Sequence, residues 1–92
     1  MISYDESKRR ANLAKHGIDL ASVEPIFDHP MLTREDDRED YGEQRLISLG
    51  LLDDEAVVLV WTDRDDAGAH IISCRKAERH EKKIYQQRFQ GR

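Results

Sequence analysis

Breaking a phosphodiester without a metal takes three kinds of group: a base for the attacking hydroxyl, cations for the crowded pentavalent phosphate, and an acid for the departing oxygen. The sequence contains all three. Arg64 and Arg75 fall at the ends of expected strands, where a guanidinium projects from a rigid sheet and its fork matches phosphate oxygens. Arg45 is a third such position, and for each the competing role is an ion pair with one of the many nearby acids. Histidine, with an unperturbed pKa of about 6.5, suits proton transfer near neutrality, and His16 stands beside Lys15 just before a glycine. The same position also serves a helix dipole. Glu81 falls on the apolar side of the last expected helix, among Ala77, Ile84 and Tyr85, where a carboxylate must be paired or protonated. It is either an arginine's partner, with Arg45 or Arg75, or a proton-transfer group. Tyr85, one turn on, either stacks on a base or belongs to the core. Lys8, Asn12 and Lys15 share a helical stripe that lines a polyanion groove, a partner surface or plain solvent.

The elements that must position these groups follow from pattern. Ile2 to Tyr4 suits a short edge strand, and Asp5 a cap for a helix running to about His16, with Glu6 in its first turn. Gly17 ends that helix after two cations. Asp19 opens a second helix carrying Leu20, Val23, Ile26 and Phe27, with Pro25 inside its first two turns, and Asp28-His29-Pro30 stops it. Arg34 to Glu43 is nearly all charged and reads as an exposed loop without calcium-loop spacing. Arg45 to Leu51 alternates, Ala56 to Thr62 is apolar on both faces as a central strand is, and Ala69 to Cys74 is a third strand. Short acidic turns, Asp53-Asp54-Glu55 and Asp63 to Gly68, imply antiparallel pairing. Lys76 to Phe89 is the last helix. The expected fold is α+β: a small antiparallel sheet with two N-terminal helices and one C-terminal helix packed on it, in one domain spanning 1–92.

Composition narrows the function. A 92-residue chain buries only about 60 to 65% of its unfolded surface, so a partner can add much of the stability. Net charge is −4, but it is segregated: +2 over residues 1–18, −11 over 19–74 and +5 over 75–92. Basic ends suit phosphate contact while the acidic middle repels a polyanion, which argues against direct DNA binding by this chain. A single cysteine, Cys74, excludes an internal disulfide and fits a reducing compartment. No apolar stretch reads as a signal or a membrane span, so a cytoplasmic location is expected. His29, His70 and His80 show no metal spacing with one another or with the acids, and no metal or other cofactor is expected.

Three segments, in order, carry a resemblance. They are Tyr4-Asp5-Glu6-Ser7-Lys8 through Asn12 to Lys15-His16-Gly17-Ile18 and on to Phe27-Asp28; Gly42-Glu43-Gln44-Arg45 leading to Gly50; and Ile71-Ile72-Ser73-Cys74-Arg75-Lys76-Ala77 with Arg79, Glu81 and Tyr85. Together they resemble the BrnT-type toxins over nearly the whole chain. The family usually has tryptophan where Tyr4 stands, alanine at Cys74 and a basic residue at His70. The last difference removes a phosphate contact at neutral pH.

The resemblance implies a fold similar to the RelE ribonucleases, toxicity through RNA cleavage, and neutralisation by a BrnA-type antitoxin in a hetero-oligomer. Operator DNA is then contacted only through the antitoxin. Arg64, Arg75, His16, Glu81 and Tyr85 are the expected catalytic residues, and Lys8, Asn12, Lys15, Arg45 and Arg79 the expected RNA contacts. The competing reading is an inactive toxin-like module that only assembles with its antitoxin to tune transcription.

Overall fold

The computed structural model describes residues 1–89; Arg92, the last cation of the basic C-terminal segment, lies outside them. One five-stranded sheet runs through the molecule in the order β1-β5-β4-β3-β2. Its strands are β1 (Ile2–Tyr4), β2 (Leu32–Asp36), β3 (Arg45–Leu52), β4 (Glu55–Asp63) and β5 (Ala69–Lys76). Two α-helices, α1 (Glu6–His16) and α2 (Arg79–Phe89), flank it. The strand richest in apolar residues on both faces, β4, is central, as the sequence requires.

The expected all-antiparallel sheet is corrected at one edge. β1 lies parallel to β5, with Tyr4 opposite Ile71 and the Ala69 N–H donating to the Met1 carbonyl at 3.2 Å. Residues 5–68 connect these two strands, so no hairpin dictates their direction, and this pairing puts Ile2 and Tyr4 against the core. The β3–β4 hairpin closes through Asp53 and Asp54, both with positive φ, the geometry of a two-residue turn that follows sheet twist.

The second N-terminal helix is also corrected. Two 3₁₀ turns, Leu20–Ser22 and Glu24–Asp28, stand in its place. Pro25 has no N–H to continue an α-helical ladder, and the chain instead closes i→i+3 bonds, Ser22 to Asp19 and Ile26 to Val23. Leu20, Val23 and Ile26 recur every three residues, the period of that helix, and all are fully buried. The turns can lie close because β3 has Gly50 beneath them; a methyl there would meet Ile26 Cγ2 at 2.9 Å. Two further boundaries move. Arg34 to Asp36 belong to β2, paired against β3, and the C-terminal helix starts at Arg79 because Lys76 completes β5.

Cross-strand partners point the same way, so the register sorts side chains into two faces. One face carries Ile71, Cys74, Val57, Leu59 and Ser48 and is covered by α1 and the 3₁₀ turns. The other carries His70, Arg75, Val58, Ile47, Leu49, Arg45 and Arg34, and α2 lies across part of it. Tyr85 anchors α2, its ring 2% exposed and its hydroxyl donating to the Pro30 carbonyl at 2.8 Å.

Candidate active site

Beyond Ile71 no strand among the described residues pairs with the outer edge of β5, and α1 supplies the missing partner. The Asn12 side-chain oxygen accepts from the Cys74 N–H at 3.0 Å, and its amide donates to the Cys74 and Ile18 carbonyls, both at 2.9 Å. Asn12 is therefore a buried clamp with every side-chain group engaged, and it leaves the set of RNA contacts. Lys8 and Lys15, on either side of it, are exposed and make no ion pair among the described residues. The helix ends as the sequence predicts, with Gly17 at φ 71° and its N–H on the Leu13 carbonyl, and His16 half-buried at that end. Asp5 holds the N-cap position through its backbone, but its side chain makes no capping bond.

Arg75 leaves β5 on the open face and meets Glu81 in the first turn of α2. The two form a bidentate pair, Nη1 to Oε1 at 2.9 Å and Nη2 to Oε2 at 3.0 Å. Glu81 Oε1 also accepts the Glu78 N–H at 2.6 Å. Glu78 immediately precedes the helix, so Glu81 supplies the side-chain-to-backbone half of a capping box. That explains a carboxylate on the inner side of α2. The Arg75 guanidinium, followed by the Glu78 N–H, holds the Glu81 carboxyl below its usual range despite partial burial, and the same pairing raises Arg75. A downward shift makes a carboxylate a poorer proton acceptor. Glu81 orients Arg75.

The remaining expected residues are dispersed. Arg64 sits in the β4–β5 loop, 3.5 Å from Glu43. Arg45 lies over the Tyr41 ring, 4.0 Å from its centroid, and its Nε is buried without a hydrogen-bond partner among the described residues. Tyr41 in turn donates to Asp36, which Arg38 grips through both carboxylate oxygens. Tyr85 is core, as its burial and its bond to Pro30 require, and burial raises its hydroxyl pKa. Arg79 is exposed.

Two residues that the sequence reading passed over join the Arg75–Glu81 pair. Arg34 and His80 line, with Glu81, a groove of about 400 Å³ between α2 and strands β2 to β4. Arg34 was hidden in a charged run, although its alternation with Leu32 was a usable signal. His80 directly precedes Glu81. Glu78, His80 and Glu81 also bring ligand atoms within 4.8 Å of one another, an approach their sequence spacing did not suggest. Both Glu81 oxygens are already engaged there by Arg75 and the Glu78 N–H.

The geometry defines a class first: a small α+β protein with one well-covered sheet face and one more open face on which an arginine is held by a glutamate. Comparison with known proteins then gives the family. The model of the ribonuclease toxin, BrnT, of type II toxin–antitoxin systems matches residues 4–81, and the chain belongs to this BrnT toxin family. The crystal structure of the Brucella abortus ribonuclease toxin BrnT is similar, with a TM-score of 0.65 and 26% identity over 85% of this chain and 96% of that one. No curated protein matches the chain. No helix among the described residues is long and apolar enough to cross a membrane.

Proposed function

We propose that this chain, as one RelE-like domain, is a cytoplasmic endoribonuclease that cuts RNA without a metal and is neutralised by a BrnA-type antitoxin. The observation that carries this reading is the Arg75–Glu81 pair on the open face. A guanidinium fixed by a carboxylate on a rigid strand is set to hold a phosphate and to stabilise the charge that grows on it during attack by the 2′-hydroxyl. In this reading Arg75 contacts the scissile phosphate and Glu81 is a positioning residue. Proton transfer falls to His80, which shares the groove with Glu81, while His16 stands at the end of α1. The exposed cations Lys8, Lys15 and Arg79, with Arg45 and Arg64 further along the sheet, guide the rest of the RNA.

The test is cleavage of end-labelled RNA by the purified protein in excess chelator, with His80→Gln and His16→Gln alongside. Fragments ending in 2′,3′-cyclic phosphate, lost with His80→Gln and kept with His16→Gln, are the expected result. Cleavage that stops in chelator overturns metal independence. No cleavage by the unmodified protein, with or without ribosomes, favours the inactive antitoxin-binding module instead.

A further inference from the structure

We infer that the groove between α2 and strands β2 to β4 is the docking surface for the antitoxin, and that it takes an amphipathic, acidic segment of that protein. The inference rests on the toxin reading of this chain and names where its partner sits. The floor and one wall of the groove are aliphatic: Leu32, Ile47, Leu49, Val58 and Ile84. Ile84 is 47% exposed on α2, one of the few large apolar side chains left open to solvent among the described residues. Apart from Thr33, Arg34, His80 and Glu81 the lining is aliphatic, and it offers no phenylalanine, tyrosine or tryptophan ring on which a run of unpaired bases would stack. It suits the aliphatic side of a protein segment, the usual filling of such a groove.

Charge identifies the rest of the occupant. Arg34 stands at the β2 side of the groove, and Arg79 and Lys83 are exposed on α2; none of the three has an ion pair among the described residues. Glu81, the acid in the groove, is already neutralised by Arg75. The unanswered charge is thus positive, and acidic side chains flanking the apolar ones complement it. Because Glu81 and His80 line the same groove, a segment seated there covers them and blocks access to Arg75. One surface then accounts for both recognition and neutralisation.

The test uses the full chain and the purified antitoxin paired with it in its own genome. Binding is measured by calorimetry, and hydrogen exchange maps the protected amides of the unmodified complex. Ile84→Glu is expected to weaken antitoxin binding at least tenfold while RNA cleavage in the absence of antitoxin stays within twofold; Ile84→Leu is expected to keep full affinity. Arg34→Glu is expected to weaken binding by a similar factor. New exchange protection is expected in β2 and α2. Unchanged affinity for Ile84→Glu, or protection confined to α1 and the 3₁₀ turns, overturns the inference. So does a parallel loss of cleavage and binding, which makes the aliphatic floor of the groove part of the substrate site. An unmodified protein that binds with this protection pattern yet cuts no RNA supports the docking surface and defeats the ribonuclease reading alone.

Discussion

The two faces of the sheet are built from the same five strands and solve different problems. On the face under α1 and the 3₁₀ turns, the buried polar groups are answered: Asn12 pairs with Cys74 and Ile18, and Ser48 Oγ accepts the Trp61 indole N–H at 2.8 Å and bonds Thr33 at 2.7 Å. On the face under α2, Ile84 is open, Arg45 Nε has no partner, and Arg34 points out beside a groove. A 92-residue chain has too little apolar material to close both sides. It covers the face under α1 and the 3₁₀ turns more fully than the face under α2. Stability and function should therefore respond to substitutions on opposite faces.

The largest effect is expected at the clamp. Asn12→Ala removes three buried hydrogen bonds and leaves the Cys74 backbone unpaired, so unfolding in denaturant should show a loss of about 3 to 5 kcal/mol. Gly50→Ala, which drives a methyl into Ile26, should cost about 1 to 3 kcal/mol by the same measurement. On the open face, Glu81→Gln keeps a capping side chain but loses the charge that orients Arg75. Cleavage should fall about tenfold, or ~1.4 kcal/mol of transition-state stabilisation, while stability changes by less than about 1 kcal/mol. If Glu81→Gln instead destabilises as much as Asn12→Ala, the division between the faces fails.

Asp36, opposite Arg45 in the register, lies on the face under α2 and is the exception there, a side chain that contributes to stability. Arg38 hydrogen bonds, helped by Tyr41, hold the Asp36 carboxyl far below its ordinary range. Since its folded pKa is the lower one, Asp36 stabilises the fold fully above the ordinary carboxylate range, and that contribution is lost as pH falls through that range toward its depressed value. Unfolding followed from pH 7 to 2 should show Asp36→Asn flattening part of this dependence. The smallest effect concerns Cys74. Its thiol, pushed up to about 12 by burial, should resist alkylation at pH 8 until the protein unfolds, with mass spectrometry as the readout.

Local signals in the sequence were enough for α1, its glycine stop, the central strand β4 and the short acidic turns. They were not enough for β1, whose parallel partner lies at the far end of the chain. Apolar spacing in Leu20, Val23 and Ile26 fits α and 3₁₀ periods alike over so short a run, and Pro25 decided between them. The site divides in the same way. Pairing of Glu81 with an arginine followed from a carboxylate on an apolar face, but its capping role needed the helix to begin at Arg79 rather than Lys76. Asn12 looked like a surface stripe because nothing local reveals that β5 has an open edge exactly one side chain away. Arg34 and His80 came into view only when β2 and α2 were brought to the two sides of one groove.

The most direct test is to measure cleavage and unfolding free energy on the same preparation of Arg75→Ala. The account predicts a fall in RNA cleavage of roughly 100-fold or more, as expected when one charge-stabilising donor is removed, with stability within about 1 kcal/mol of the unmodified protein because the half-exposed pair with Glu81 contributes little to folding. Cleavage that survives, or a loss of activity that only follows a loss of stability, contradicts it.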